Sequence, residues 1–87
     1  MTRDQLTDQI LTIFSQQFEI DQPQLDEDLR EVYEFDSIDA IELLREIETM
    51  LKSELTREEK KMAMDIRTIR QVVDYVMGLA QARAVAN

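Results

Sequence analysis

Leu6, Ile10, Ile13, Phe14 and Phe18 follow one another at steps of three and four residues, and that spacing decides what the chain can fold into. At 3.6 residues per turn such steps place all five side chains on one side of an α-helix running from about Thr2 to Phe18, with Asp4 suited to its N-terminus. Ala40, Ile41, Leu43, Leu44, Ile47, Met50 and Leu51 cover half of a second helix, Ser37 to about Leu51, whose other half is Asp39, Glu42, Arg45, Glu46 and Thr49. A third stripe of Ile69, Val72, Val73, Val76 and Ala80 predicts a last helix ending near Ala82. Strand-like alternation is absent, and a single glycine (Gly78) and a single proline (Pro23) leave little to interrupt helices, so the chain reads as all-α.

The intervening segments are polar. Glu19 to Asp36 holds the proline and eight acids, and reads as a long loop anchored by Ile20, Leu25, Leu29, Val32, Tyr33 and Phe35. Asp36 is placed to cap the second helix, with Asp39 three residues on where a capping box usually has Glu. Ile38 is the exception to the helix pattern, an apolar side chain on the polar arc. Lys52 to Met64 is a charged connector in which Leu55, Met62 and Met64 can pack, and Thr56-Arg57-Glu58-Glu59 offers a further helix start. A short turn follows at Asp65 to Thr68. Helices with one apolar side do not persist alone in water, so three longer helices and one short helix are expected to pack as a four-helix bundle. Residues 1–83 make one domain, and 84–87 are expected to fray.

Composition narrows the function. There is no Cys and no His, which removes thiolate nucleophiles, imidazole catalysis and the usual zinc ligands. The net charge of −9 repels nucleic acid and anionic lipid surfaces, and favours proteins with basic patches as partners. The acidity belongs to residues 1–61, where 17 acids face 7 bases; residues 62–87 have 2 acids and 3 bases. No segment reaches the roughly 18 apolar residues of a membrane span, and no secretory leader is visible. A cytoplasmic monomer is the expectation. With no nucleophile and base pair and no metal ligand set, an enzyme is not expected.

Asp36-Ser37-Ile38-Asp39 is the constellation of interest. A serine at a helix start is ordinarily a cap or a solvated first residue. A phosphate esterified to its oxygen would, however, meet free backbone N–H groups and the positive end of the helix. Asp36 and Asp39 oppose such an anion unless a cation offsets them. Physical chemistry permits a modified Ser37 without requiring it.

Phe35-Asp36-Ser37-Ile38-Asp39-Ala40-Ile41-Glu42-Leu43-Leu44 resembles the D-S-L-[DE]-x-[VI]-E-L-[VIL] signature of acyl carrier proteins. Asp65-Ile66-Arg67-Thr68-Ile69 and the helix after it are similar to that family's I-x-T-[VI] turn and final helix. The resemblance implies 4'-phosphopantetheine attached covalently to Ser37 beside Asp36 by a phosphopantetheinyl transferase, and acyl groups held on its thiol as thioesters. It further implies an acyl pocket facing Ala40, Leu44, Ile47 and Leu51, side chains whose plain reading is core. Presentation to acyl-transferring and ketosynthase-type enzymes of fatty-acid, specialised lipid or polyketide synthesis would follow. Asp39, Glu42, Glu46 and Glu48, with Ile38 as apolar anchor, would dock on basic patches of those partners; their plain reading is a solvated face, and that of Ile38 a side chain folded back onto Phe35 or Tyr33. The family usually has a glycine shortly before the serine; here Tyr33-Glu34-Phe35 is bulkier. The connector 52–64 is also longer and lacks the common I-P step, which points to a specialised carrier.

Two other readings compete. One is an acidic helical interaction module in which Ser37 is only a helix start; the other is an amino-acyl or peptidyl carrier, whose domains more often show G-G-x-S. A calcium loop at Asp26 to Glu34 fails on Arg30 at the fifth position and Glu31 where glycine belongs.

Overall fold

A computed structural model describes residues 2–86, with side chains through Arg83, and the described chain is helical without strands. Five helices succeed one another: α1 (Arg3–Phe18), α2 (Leu29–Tyr33), α3 (Ser37–Leu51), α4 (Arg57–Met62) and α5 (Ile69–Ala86), with a 3-10 turn at Ala63–Asp65 extending α4. This is the expected all-α bundle of three long helices, with two short ones in place of one.

Each start has a chemical cause. The Thr2 hydroxyl accepts from the Gln5 N–H at 3.1 Å while the Gln5 side chain accepts from the Thr2 N–H, a reciprocal box that Thr56 and Glu59 repeat for α4. At α5, Thr68 Oγ1 accepts from the Gln71 N–H, and Gln71 Oε1 accepts from the Thr68 and Arg67 N–H groups. The unexpected α2 lies in the segment read as loop. Asp28 Oδ1 accepts from the Arg30 and Glu31 N–H groups at 2.9 and 3.1 Å, and Leu29 turns fully into the core.

α1, α3 and α5 close over one core, in which Ile10, Phe14, Ile47, Ile69, Val72 and Val76 have no solvent exposure. Phe14, Phe18 and Phe35 form a triad with ring centroids 5.3 to 5.4 Å apart, which fastens the approach to Ser37 against α1. The α1–α3 connection is tied to the start of α5 and the turn before it by the Leu29 N–H on the Arg67 carbonyl (2.8 Å), the Arg70 N–H on that of Leu25 (3.0 Å), and an Arg70–Asp26 ion pair.

Four expectations are corrected. Ile41, assigned to the apolar half of α3, is 48 % exposed, because it flanks the buried arc of Leu43, Leu44 and Ile47. Met62 and Met64 do not pack: they are 66 % and 42 % exposed, and Leu55 and Ala63 fill the core from this connector instead. In α5 Leu79 is buried at the end of the third turn, with Ala80 only half-buried. That helix continues to Ala86 instead of stopping near Ala82; Asn87, the end of the segment expected to fray, lies outside the described residues.

The only glycine, Gly78, lies within α5, and a Cβ there would have no atom within 4 Å. The left-handed backbone positions are instead held by Glu19, Gln22, Glu34 and Lys52, with φ of 51° to 57°.

Candidate functional site

Ser37 is the first residue of α3 and is exposed. The chain reaches it through Glu34, which ends α2 in the left-handed region (φ 57°, ψ 33°). Glutamate thus adopts here a conformation that glycine takes at no steric cost, and the bulkier approach to Ser37 keeps a sharp turn. Phe35 then goes into the aromatic triad, so the backbone rises out of the core at Asp36 and delivers Ser37 to the surface.

Asp36 Oδ1 accepts from the N–H groups of Ile38 and Asp39, each at 3.0 Å, while Asp39 Oδ2 accepts from the Asp36 N–H at 3.2 Å. The Ala40 N–H goes to the Asp36 carbonyl. The expectation of several free N–H donors at this helix start is therefore not met: the cap consumes them. The N–H and hydroxyl of Ser37 itself are the exceptions, with no hydrogen-bond partner among the described residues.

Beside Ser37 opens a recess of about 440 Å³ lined by Arg30, Glu34, Phe35, Asp36 and Ser37. Its single cationic side chain is Arg30, whose Nη2 donates to the Met64 carbonyl oxygen at 3.0 Å. An anion esterified to Ser37 would meet that guanidinium as well as the carboxylates of Glu34 and Asp36. The free hydroxyl, the free N–H and the cation fit a phosphodiester.

Inward of the recess, Arg30 and Phe35 also border a cavity of about 20 Å³ between α3 and the 3-10 turn. Ala40, Leu44 and Ile47, three of the four residues that the resemblance assigns to an acyl pocket, line it together with Ala63 and Ile66. Leu51 does not; it is half-buried at the far end of α3. The space is on the scale of one water, so these side chains pack as core in this state.

Of the acidic residues assigned to docking, Glu42 is exposed and Asp39 and Glu46 are half-buried. Glu48 stands apart. Its carboxylate accepts from the Leu55 N–H at 2.8 Å and so ties the connector to α3. Ile38 is 68 % exposed, not folded back onto Phe35 or Tyr33, and Ile41 one turn on joins it as an apolar pair. Sequence reasoning missed Ile41, because on the wheel it falls at the edge of the buried arc.

The connector is held by Arg83. Its guanidinium donates to both oxygens of Glu59 (3.0 and 3.1 Å), to Ser53 Oγ (2.9 Å) and to the Glu54 carbonyl (3.0 Å). Arg83 and the Thr56 N–H together hold the Glu59 carboxyl down at about 2. Burial pushes the neighbouring Tyr75 phenol up to about 12. Among the described residues no cluster of His, Cys, Asp or Glu could hold a metal ion, and no helix is long and apolar enough to cross a membrane.

A family model described as phosphopantetheine attachment site matches residues 8–76, a span that contains α2, α3 and α4 entire, with Ser37 among them. No curated protein and no solved structure matches the chain.

Proposed function

The chain belongs to the phosphopantetheine attachment site family, and from that premise we propose that it is an acyl carrier protein whose 4'-phosphopantetheine arm is esterified to Ser37. Carrier domains of this family are not themselves enzymes. The arm, when bound, supplies the thiol that this cysteine-free chain lacks, and with it the capacity to hold an acyl group as a thioester. The observation that carries the assignment to Ser37 is its exposure at the first turn of α3, with its hydroxyl free of any hydrogen-bond partner among the described residues. Asp36 caps the helix start on which Ser37 sits.

Ile38 and Ile41 form the apolar centre of the docking face, and Glu42, with Asp39 and Glu46, supplies the charge that steers a basic partner surface onto it. Partners of that description are the transferase that loads Ser37 and the acyl-transferring and ketosynthase-type enzymes of lipid or polyketide synthesis. Glu48, committed to the Leu55 N–H, is left out of this face. Acyl cargo is favoured over amino-acyl cargo by the Asp36-Ser37-Ile38 sequence.

The test is incubation with coenzyme A and a broad-specificity phosphopantetheinyl transferase, followed by intact and peptide mass spectra of wild type and S37A. An arm mass on Ser37, absent from the variant, supports the assignment. No gain with several transferases would leave Ser37 a plain helix start and return the chain to an acidic interaction module.

A further inference from the structure

We infer that Arg30 is a binding residue for the phosphodiester of the arm, and that it draws the arm across the recess toward the seam between α2 and the 3-10 turn. The inference rests on the attachment at Ser37 proposed above. A phosphodiester there needs donors, and the usual ones at a helix start are spent: Asp36 Oδ1 holds the Ile38 and Asp39 N–H groups. One backbone donor remains, that of Ser37. The anion also sits between Glu34 and Asp36, both lining the same recess, so a cation must offset them.

Arg30 is the cation on hand. In a chain of net charge −9 its guanidinium has no carboxylate within ion-pair distance among the described residues, whereas Arg3, Arg70 and Arg83 each have one. A guanidinium carries five N–H donors in a planar fork suited to two phosphate oxygens. One Arg30 donor is occupied, by the Met64 carbonyl oxygen, and that bond holds the side chain in place over the recess. The remaining donors are free for the ester. Half-buried against Phe35 and the small cavity, the stem of Arg30 gives the fork little freedom to leave.

Nuclear magnetic resonance on the loaded protein tests this. In ¹⁵N-labelled wild type, loading Ser37 is expected to move the Arg30 Nε–Hε proton downfield while those of Arg45 and Arg57 stay. The ³¹P signal of the arm is expected to be displaced in R30Q relative to wild type, with R30K intermediate. That displacement should shrink as salt rises from about 0.02 M to about 0.5 M, because the contact is between partly solvated charges. With mass spectra showing Ser37 loaded, an unmoved Arg30 signal overturns the inference; a ³¹P signal that is the same in wild type and R30Q also overturns it. Absence of the arm mass in wild type strikes instead at the attachment reading. The Arg30 signal in wild type decides the matter even if R30Q loads poorly.

Discussion

Replacing Arg83 by alanine removes the clamp that joins the α3–α4 connector to the last helix. The guanidinium makes two bonds to the Glu59 carboxylate and one each to Ser53 Oγ and the Glu54 carbonyl, all between 2.9 and 3.1 Å. The side chains of Arg83 and Glu59 are 23 % and 21 % exposed, which places the pair between solvent-exposed ion pairs, worth up to about 1 kcal/mol, and buried ones, whose disruption costs about 3 to 5 kcal/mol. We expect R83A to lose about 2 kcal/mol. For a domain of this size that lowers Tm by about 8 to 16 °C. Thermal and urea unfolding measure the loss, and amide exchange should quicken first in residues 53–62. R83K, which keeps the charge without the fork, should recover less than half. A fall in Tm below about 3 °C for R83A, with exchange in 53–62 unchanged, would refute the clamp.

Glu59 gives the same clamp a pH signature. Its carboxyl is depressed from the ordinary 4.5 to about 2, so its contribution is complete above about pH 4.5 and is lost as pH falls toward 2. The stability difference between wild type and E59Q, from urea titrations, should therefore be constant from about pH 5 to 7 and vanish near pH 2. D36A should cost about 1 to 2 kcal/mol by releasing the Ile38 and Asp39 N–H groups, and D36N only a few tenths, since asparagine caps as well. I38A should leave stability within about 0.5 kcal/mol, because Ile38 is exposed, yet raise the KM for loading about ten-fold with kcat little changed. An unchanged KM would remove Ile38 from the docking face.

The long helices were legible because their apolar spacing has few alternatives, and Asp36 was legible as a cap because its partner Asp39 sits at the right offset. The boxes at Thr2-Gln5 and Thr68-Gln71 carry the same offset with glutamine and went unread. α2 was missed for a related reason: five residues are too few for a stripe, and its start rests on Asp28 alone. Ile41 and the methionines were misplaced because a wheel gives the direction of a side chain but not the width of the surface that covers it. Neither Arg30 beside Ser37 nor Arg83 over Glu59 had any local signal; the latter pair spans 24 residues of sequence, and only the closing of the bundle brings it together.

Gly78 occupies an open helical site, whereas four left-handed turns make do with Glu, Gln, Glu and Lys. The chain therefore holds unclaimed thermal resistance in its scaffold, reachable without altering the surface a partner reads. G78A alone should raise Tm by about 4 to 8 °C, on about 1 kcal/mol of recovered helix propensity. A variant so fortified would give a sturdier background on which the weaker substitutions at Ser37, Ile38 and Arg30 can be compared at one temperature.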